Sequence, residues 1–219
     1  MNMQDQRSSK PHWVVSGASE AELAALSESI SATGGKLRAL VHDIDRASES
    51  LAGAEPLDSG LGEDSLLPLL VEPVPDVLLF STSRAHAEPT DLLRAHIRRP
   101  QRLLHSLVPL MVARGNGTIV FSVAAEVLAP RPGAAPRSAA GGWISSFAAA
   151  LSVELTGTGV DVGIVCGAQP EQLHASILEA LAKDSRLLIV DGTIKKRWQS
   201  AALLPRRTWS TRMFPGVRS

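Results

Sequence analysis

The chain of 219 residues contains no tyrosine, and it has little of several other things. Its single cysteine, Cys166, excludes an intramolecular disulfide and a zinc site built from several cysteines, and its place after an apolar run predicts a buried, inert thiol. The 22 basic and 22 acidic residues balance, so no net charge directs the molecule toward nucleic acid or an anionic membrane. No apolar run reaches the ~20 residues of a membrane-spanning helix, and residues 1–13 lack the apolar core of a signal peptide. We therefore expect a soluble cytoplasmic protein.

Short apolar runs typical of buried strands alternate with segments whose apolar residues recur at helical spacing. The predicted strands cover residues 12–16, 37–44, 76–80, 118–122, 157–165 and 187–190. The predicted helices cover residues 20–33, 66–70, 89–114, 138–155 and 170–182, with a kink at Pro100. This alternation predicts an α/β fold, in which a mostly parallel sheet of about six strands is covered by helices on both faces.

Residues 52–64 are rich in glycine, proline and acidic residues, and this composition predicts a surface loop. No repeat of solenoid period and no long linker divides the chain, so we predict a single domain over residues 1–192. The tail of residues 193–219 has seven basic residues, no acidic residue, and the tryptophans Trp198 and Trp209. Such a tail suits nucleic acid or acidic lipid, but arginine and tryptophan are also enriched at protein interfaces. Because the whole chain is neutral, we favour a partner subunit over nucleic acid or membrane.

Several short motifs resemble, in their order along the chain, those of the short-chain dehydrogenase/reductase family. The strongest are the turn of Gly115, Asn116 and Gly117 before a strand, the helical segment 147–155, and the strand at 159–165. Weaker matches follow the same order at residues 42–45, 76–79, 109–111 and 190–192. The resemblance extends over nearly all of residues 12–192, and it implies a Rossmann-like, doubly wound parallel sheet.

The resemblance also assigns the positions of the family's catalytic groups, and this chain lacks all four. The family uses a tyrosine to exchange a proton, a lysine to lower the pKa of that tyrosine, a serine to hold the substrate oxygen, and an asparagine to support a proton relay. The matching positions here hold Arg137, Gly141, Ala124 and His96, in that order. Ser122 is the alternative for the serine position if the loop slips. An arginine stays protonated and a glycine has no cation, so we predict no catalytic residue.

The cofactor side of the resemblance is reduced as well. The family's first turn needs closely spaced glycines, so that amides at a helix N-terminus can approach a pyrophosphate. Only Gly17 remains here, and Glu20 and Glu22 lie where phosphates would bind. Residues 80–83 add side chains where the cofactor needs room. Gly17 and Asp43 are read as remnants in a turn and at a strand end, so we predict no NAD(P) bound by this chain.

Two segments are shorter than the family's. Between Gly17 and residues 42–45 there is room for one helix and one strand, where the family has two of each, so the resemblance implies the loss of one βα unit. Residues 166–171 lead directly from a predicted strand into a predicted helix. The family's substrate-binding lid, which belongs between them, is therefore predicted to be absent.

A few residues have the side-chain types of two other kinds of site, a hydrolase triad and a metal site. Ser122, His96 and Asp91 offer the residue types of a hydrolase triad, but no Gly-x-Ser-x-Gly turn surrounds the serine, which favours coincidence. His42 stands beside two aspartates, but no second clustered histidine supports a metal site. We therefore predict no metal.

The helices that pair subunits in this family keep their apolar residues, and these residues belong first to the core. With the tail, they are the predicted interface residues: Leu103, Leu107, Trp143, Phe147, Leu151, Trp198 and Trp209.

The losses at the active site, with the interface kept, predict a catalytically inactive subunit that pairs with an active homologous dehydrogenase or reductase. The resemblance implies a heterotetramer with NAD(P) in the partner, which would be of the β-hydroxyacyl-CoA dehydrogenase or ketoacyl reductase type. Two alternatives stay open. One is an atypical NAD(P)-dependent oxidoreductase that uses Arg137 or His96, and the other is a regulatory protein that binds through its basic tail.

Overall fold

The computed structural model describes residues 10–41, 44–45, 47, 51, 53–61, 63–83, 89–127, 132–182 and 187–189. These residues include one sheet of seven parallel strands, whose order across the sheet is β3-β2-β1-β4-β5-β6-β7. The strands are β1 (His12–Ser16), β2 (Lys36–Val41), β3 (Ala54–Asp58), β4 (Val77–Ser81), β5 (Gly117–Val123), β6 (Val160–Cys166) and β7 (Leu187–Ile189). The predicted Rossmann-like α/β fold is confirmed.

Helices cover both faces of the sheet. They are α1 (Glu20–Ala32), α2 (Glu63–Val71), α3 (Pro89–Leu93), α4 (Arg99–Arg114), α5 (Ala135–Glu154) and α6 (Leu173–Ala182). Successive residues of a strand point to opposite faces, so Val14 packs with α2, α4 and α5 while Val15 packs with α1 and α6. Both residues are buried, which explains why the strands read as continuous apolar runs.

The strand count corrects the sequence analysis at one point. Residues 52–64 were expected to be a surface loop, but they contain β3, which pairs in parallel with β2 at the edge of the sheet. Pro56 opposes Ala39 there, and Leu57 alone is buried. An edge strand tolerates proline and acidic residues because one side of its backbone needs no partner. The prediction that a βα unit is missing, which would leave about six strands, is therefore wrong.

Two connections match the sequence analysis more closely. The long helix expected over residues 89–114 is interrupted by a π-helical turn, Arg94–Arg98, and α4 starts immediately before Pro100. After β6, three residues (167–169) lead into the short turn Pro170–Gln172 and then α6. No lid is inserted there, as predicted.

At the amino ends of the strands, Asp76 links β1 to the end of α4. The backbone N–H of His12 donates to Asp76 Oδ2 at 2.8 Å, and Arg114 Nη1 lies 3.2 Å from Asp76 Oδ1. Burial, followed by the positive charge of Arg38, lowers the pKa of His12. These contacts join β1, β4 and α4 at the edge opposite the site described below, so their role is structural.

Several predicted residues lie outside the described part of the chain: His42, Asp43, Trp198, Trp209 and the rest of residues 190–219. Among the helices that are described, none has both the length and the apolar character to cross a membrane.

Candidate functional site

The carboxyl ends of β1 and β4 lie side by side at the point where the strand order reverses. From β1 the chain proceeds outward through β2 and β3, and it then returns to place β4 on the other side of β1. In open α/β sheets the crevice at such a switch point is where ligands bind. The candidate site is therefore formed by the turn after β1, the end of β4, and the adjacent end of β5.

The turn after β1 packs tightly against the end of β4. Gly17 has a φ of 78°, a left-handed conformation that glycine adopts readily. A Cβ on Gly17 would lie 2.2 Å from the carbonyl oxygen of Ser81 and 3.3 Å from Nδ1 of His96, which is buried in the π-helical turn. Glycine is required at this position because neighbouring backbone already occupies the space.

Glu22 fills the positive end of α1. The residue is 3% exposed, and its Oε2 accepts hydrogen bonds from Ser81 Oγ at 2.8 Å, from Ser83 Oγ, and from the backbone N–H of Ser19 at 3.3 Å. The Ser19 hydroxyl accepts in return from the N–H of Glu22 at 3.3 Å, which completes a capping box. The carboxylate thus lies where the dipole of α1 favours a negative charge.

Hydroxyl groups tie the ends of the central strands together. The backbone N–H of Ser19 donates to Ser83 Oγ at 2.9 Å, which joins the start of α1 to the chain after β4. The backbone N–H of Ala124 donates to Thr82 Oγ1 at 3.0 Å, which joins the end of β5 to that of β4. The chain's own polar groups therefore link the start of α1 to the ends of β4 and β5.

A small cavity of about 270 Å³ remains beside this network. Its walls come from α1, the ends of β4, β5 and β6, and the first turn of α5. Glu22, Ser122, Ala124, Glu126 and Arg137 line it. Pockets for drug-sized ligands measure about 300–1,000 Å³, so the volume of this cavity lies just below that range.

Solved structures provide the comparison for this arrangement. A short-chain dehydrogenase from Streptomyces avermitilis is 19% identical, with a TM-score of 0.72 over 89% of this chain and 93% of that chain. An oxidoreductase of the short-chain dehydrogenase/reductase family from Burkholderia thailandensis is 20% identical, with a TM-score of 0.71 over 90% and 98%. The fold is that of the short-chain dehydrogenases/reductases.

A third structure with this fold is the bulky-bulky ketone specific alcohol dehydrogenase from Comamonas testosteroni, which is 17% identical with a TM-score of 0.69 over 95% of both chains. No protein-family model matches the sequence, and no curated protein matches it. At 17–20% identity, the likeness to these structures concerns the fold.

The structure brings together two of the four positions that the short-chain dehydrogenase pattern assigns to catalysis. Ala124 and Arg137 line the same cavity, where the pattern puts serine and tyrosine. Ser122, the alternative for the serine, lines it too, while His96 is buried beneath Gly17 and is not part of the cavity wall. Ser122 and His96 therefore do not share a pocket, which removes the support for a hydrolase triad.

Gly141, at the position of the family's lysine, is closed off. A Cβ on Gly141 would lie 1.9 Å from Cγ2 of Val127, which follows β5 in the short helical turn Ala125–Val127. Ser138 Oγ donates to the carbonyl of Glu126 at 3.0 Å and holds this turn against α5. No side chain can extend from Gly141 into the cavity unless Val127 moves.

Two residues important to this site were only partly anticipated. The burial of Glu22 was missed, although the Ser19-x-x-Glu22 spacing is a sequence signal for a capping box. The contact of Val127 with Gly141 had no signal in the sequence, because it depends on how the chain turns after β5. In the described residues, no three histidine, cysteine or acidic side chains cluster to hold a metal.

The predicted interface residues divide by burial. Leu103 and Leu107 are 0% exposed and pack against the sheet, so they support α4 from within and offer no surface to a partner. Trp143 and Phe147 are half-buried on α5, with their rings stacked 4.7 Å apart. Phe147 and Leu151 line a groove of about 730 Å³ between α4 and α5.

Proposed function

We propose that this chain is a non-catalytic subunit with the short-chain dehydrogenase/reductase fold, which pairs with an active homologous enzyme in a hetero-oligomer. The observation that carries the proposal is Gly141 packed against Val127, because it leaves no room for the cation on which the family's proton transfer depends. Arg137 lines the cavity at the tyrosine position, and its guanidinium stays protonated at any useful pH. Ala124 supplies no hydroxyl to hold a substrate oxygen.

The dinucleotide is expected in the partner and not in this chain. One feature supports that assignment: the Glu22 carboxylate occupies the start of α1. A phosphate placed there would meet a negative charge at close range, in a site with little water to screen it.

The surface on α4 and α5 supports the pairing. Stacked aromatic rings beside a groove are typical of residues that dominate protein interfaces. A subunit that binds only the folded partner stabilises it by mass action, and it could also shape the partner's substrate pocket. We extend the proposal to a heterotetramer whose active subunit acts on an acyl thioester, as a β-hydroxyacyl-CoA dehydrogenase or ketoacyl reductase would.

Thermal unfolding of the purified chain with NAD⁺, NADH, NADP⁺ and NADPH tests the non-catalytic assignment. We expect no rise in Tm at micromolar cofactor, whereas a cofactor at 100 times its Kd would stabilise the fold by about 2.7 kcal/mol. An active short-chain dehydrogenase treated identically serves as the control. A cofactor-dependent rise in Tm, or reduction of a carbonyl by the purified chain, would favour an atypical oxidoreductase that uses Arg137 or His96.

A further inference from the structure

Glu22 is a buried carboxylate, and the three groups that donate hydrogen bonds to it could also bind an external anion. It lies in the first turn of the 13-residue helix α1, directly after the turn that follows β1. We propose that Glu22 is an internal anion, which takes the position of a ligand phosphate and braces the switch point so that this end of the sheet stays closed without a dinucleotide. This inference rests on the proposed function, and it adds how the chain remains folded without the cofactor.

Burial of the Glu22 carboxylate carries a cost in free energy. A carboxylate that is 3% exposed destabilises a protein unless hydrogen bonds replace its water. Here two hydroxyl groups and one backbone N–H donate to the same oxygen, from Ser81, Ser83 and Ser19. The positive end of the α1 dipole adds a further attraction, and it is the same attraction that draws phosphates to helix N-termini.

The hydrogen bonds of Glu22 also connect two segments that are far apart in the sequence. Glu22 is on α1, whereas Ser81 ends β4 and Ser83 follows it, 59 and 61 residues farther along the chain. The N–H of Ser19 also donates to Ser83 Oγ at 2.9 Å, so the two segments are joined in a closed network. A bound phosphate would bridge the same two segments from outside. Because Glu22 is tethered, its effective concentration at these donors greatly exceeds that of a free anion.

The hydrogen-bonded pair Glu22 and Ser83 borders the small cavity. Glu22 and Ser83 both line the 270 Å³ space, so shortening Glu22 to alanine would open the hydroxyl groups to that space. Inorganic phosphate could then reach the donors that the carboxylate vacates. If Glu22 replaces a ligand phosphate, we expect inorganic phosphate to bind in its place. If Glu22 only makes structural hydrogen bonds, we expect no such binding.

The test is thermal unfolding of the wild type, Glu22→Ala and Glu28→Ala in sodium phosphate and in sodium chloride of equal ionic strength. Glu28 is the matched control because it lies on the same helix but is exposed. We expect Glu22→Ala to lower Tm by roughly 5–10 °C, while Glu28→Ala changes it little. We also expect phosphate to raise the Tm of Glu22→Ala by about 2 °C or more beyond its effect on the other two proteins.

Glu22→Gln provides a second variant in case the alanine variant does not fold. It keeps the size of the side chain and one acceptor oxygen but removes the charge, so we expect a Tm between those of the wild type and Glu22→Ala. The inference is overturned if both Glu22 variants melt with the wild type, or if phosphate stabilises Glu22→Ala no more than Glu28→Ala. Neither result affects the proposed function, which fails instead if the wild type binds a nicotinamide cofactor.

Discussion

Gly141→Ala is expected to lower the free energy of unfolding by about 1–3 kcal/mol, and Gly141→Lys to lower it further. The added Cβ would lie 1.9 Å from Cγ2 of Val127, so either Val127 or the start of α5 must shift. Gly141 is buried whereas Val127 is half-buried, so we expect the Val127 side chain to give way first. Urea unfolding followed by circular dichroism measures the loss.

Gly142 offers a control one residue farther along the same helix. It is exposed, and a Cβ there would meet no atom within 4 Å. Gly142→Ala should therefore raise stability by roughly 0.5–1 kcal/mol, because alanine favours the helix. In the Gly141→Ala background, Val127→Ala should recover part of the loss. Equal effects at Gly141 and Gly142 would contradict the close packing described here.

The packing at Gly141 also affects whether the family's catalytic residue types can be introduced into this chain. Placing tyrosine at position 137, lysine at 141 and serine at 124 would supply the family's side-chain types, but the lysine has no space while Val127 lies against α5. Introducing the family's side-chain types would therefore also require a change at Val127.

Gly17→Ala is expected to cost about 3 kcal/mol or more. Two effects add at this position: a left-handed backbone costs a non-glycine residue about 1–2 kcal/mol, and the new Cβ would lie 2.2 Å from the Ser81 carbonyl oxygen. That oxygen belongs to the backbone of β4, and it cannot rotate away as a side chain would. The unfolding midpoint in urea is the measurement.

Gly115→Ala separates these two effects. Gly115 ends α4 with a φ of 74°, almost the same as that of Gly17, but a Cβ there would have no neighbour within 4 Å. We expect this variant to lose only the about 1–2 kcal/mol of the backbone conformation. Equal destabilisation of Gly17→Ala and Gly115→Ala would contradict the close packing of Gly17 against Ser81.

The fold was predictable where the pattern of apolar residues was strong. Both Val14 and Val15 are buried, so β1 reads as a continuous apolar run, and helical spacing located α4 and α5. The strand β3 was not predictable in this way, because its one buried residue, Leu57, follows a proline. β3 lies at the sheet edge and pairs only with β2, so it tolerates a proline and acidic residues that a central strand would not.

The site was predictable as a set of positions but not as a set of contacts. The family resemblance assigned Ala124 and Arg137 to catalytic positions, and the two residues line the same cavity. The resemblance did not indicate that Val127 covers Gly141, or that hydroxyl groups from β4 converge on Glu22. Those contacts join segments far apart in the chain, so they depend on the tertiary arrangement of strand ends.

Helical spacing was also insufficient to separate core from interface. Leu103 and Leu107 share the apolar face of α4 and were assigned to the interface, but that face meets the sheet. On α5 the aromatic residues Trp143 and Phe147 lie at the border between core and surface, and so they remain the residues that we expect to contact a partner.

The mass of the native complex purified from its source tests the central claim most directly. We predict a complex that contains this 23.2 kDa chain together with a second, homologous chain, with nicotinamide cofactor bound only to the latter. Phe147→Asp should release the second chain, whereas Leu178→Asp, an exposed position on α6 at the opposite face of the sheet, should not. A monomer or a homo-oligomer of this chain, with cofactor bound to it, would contradict the account.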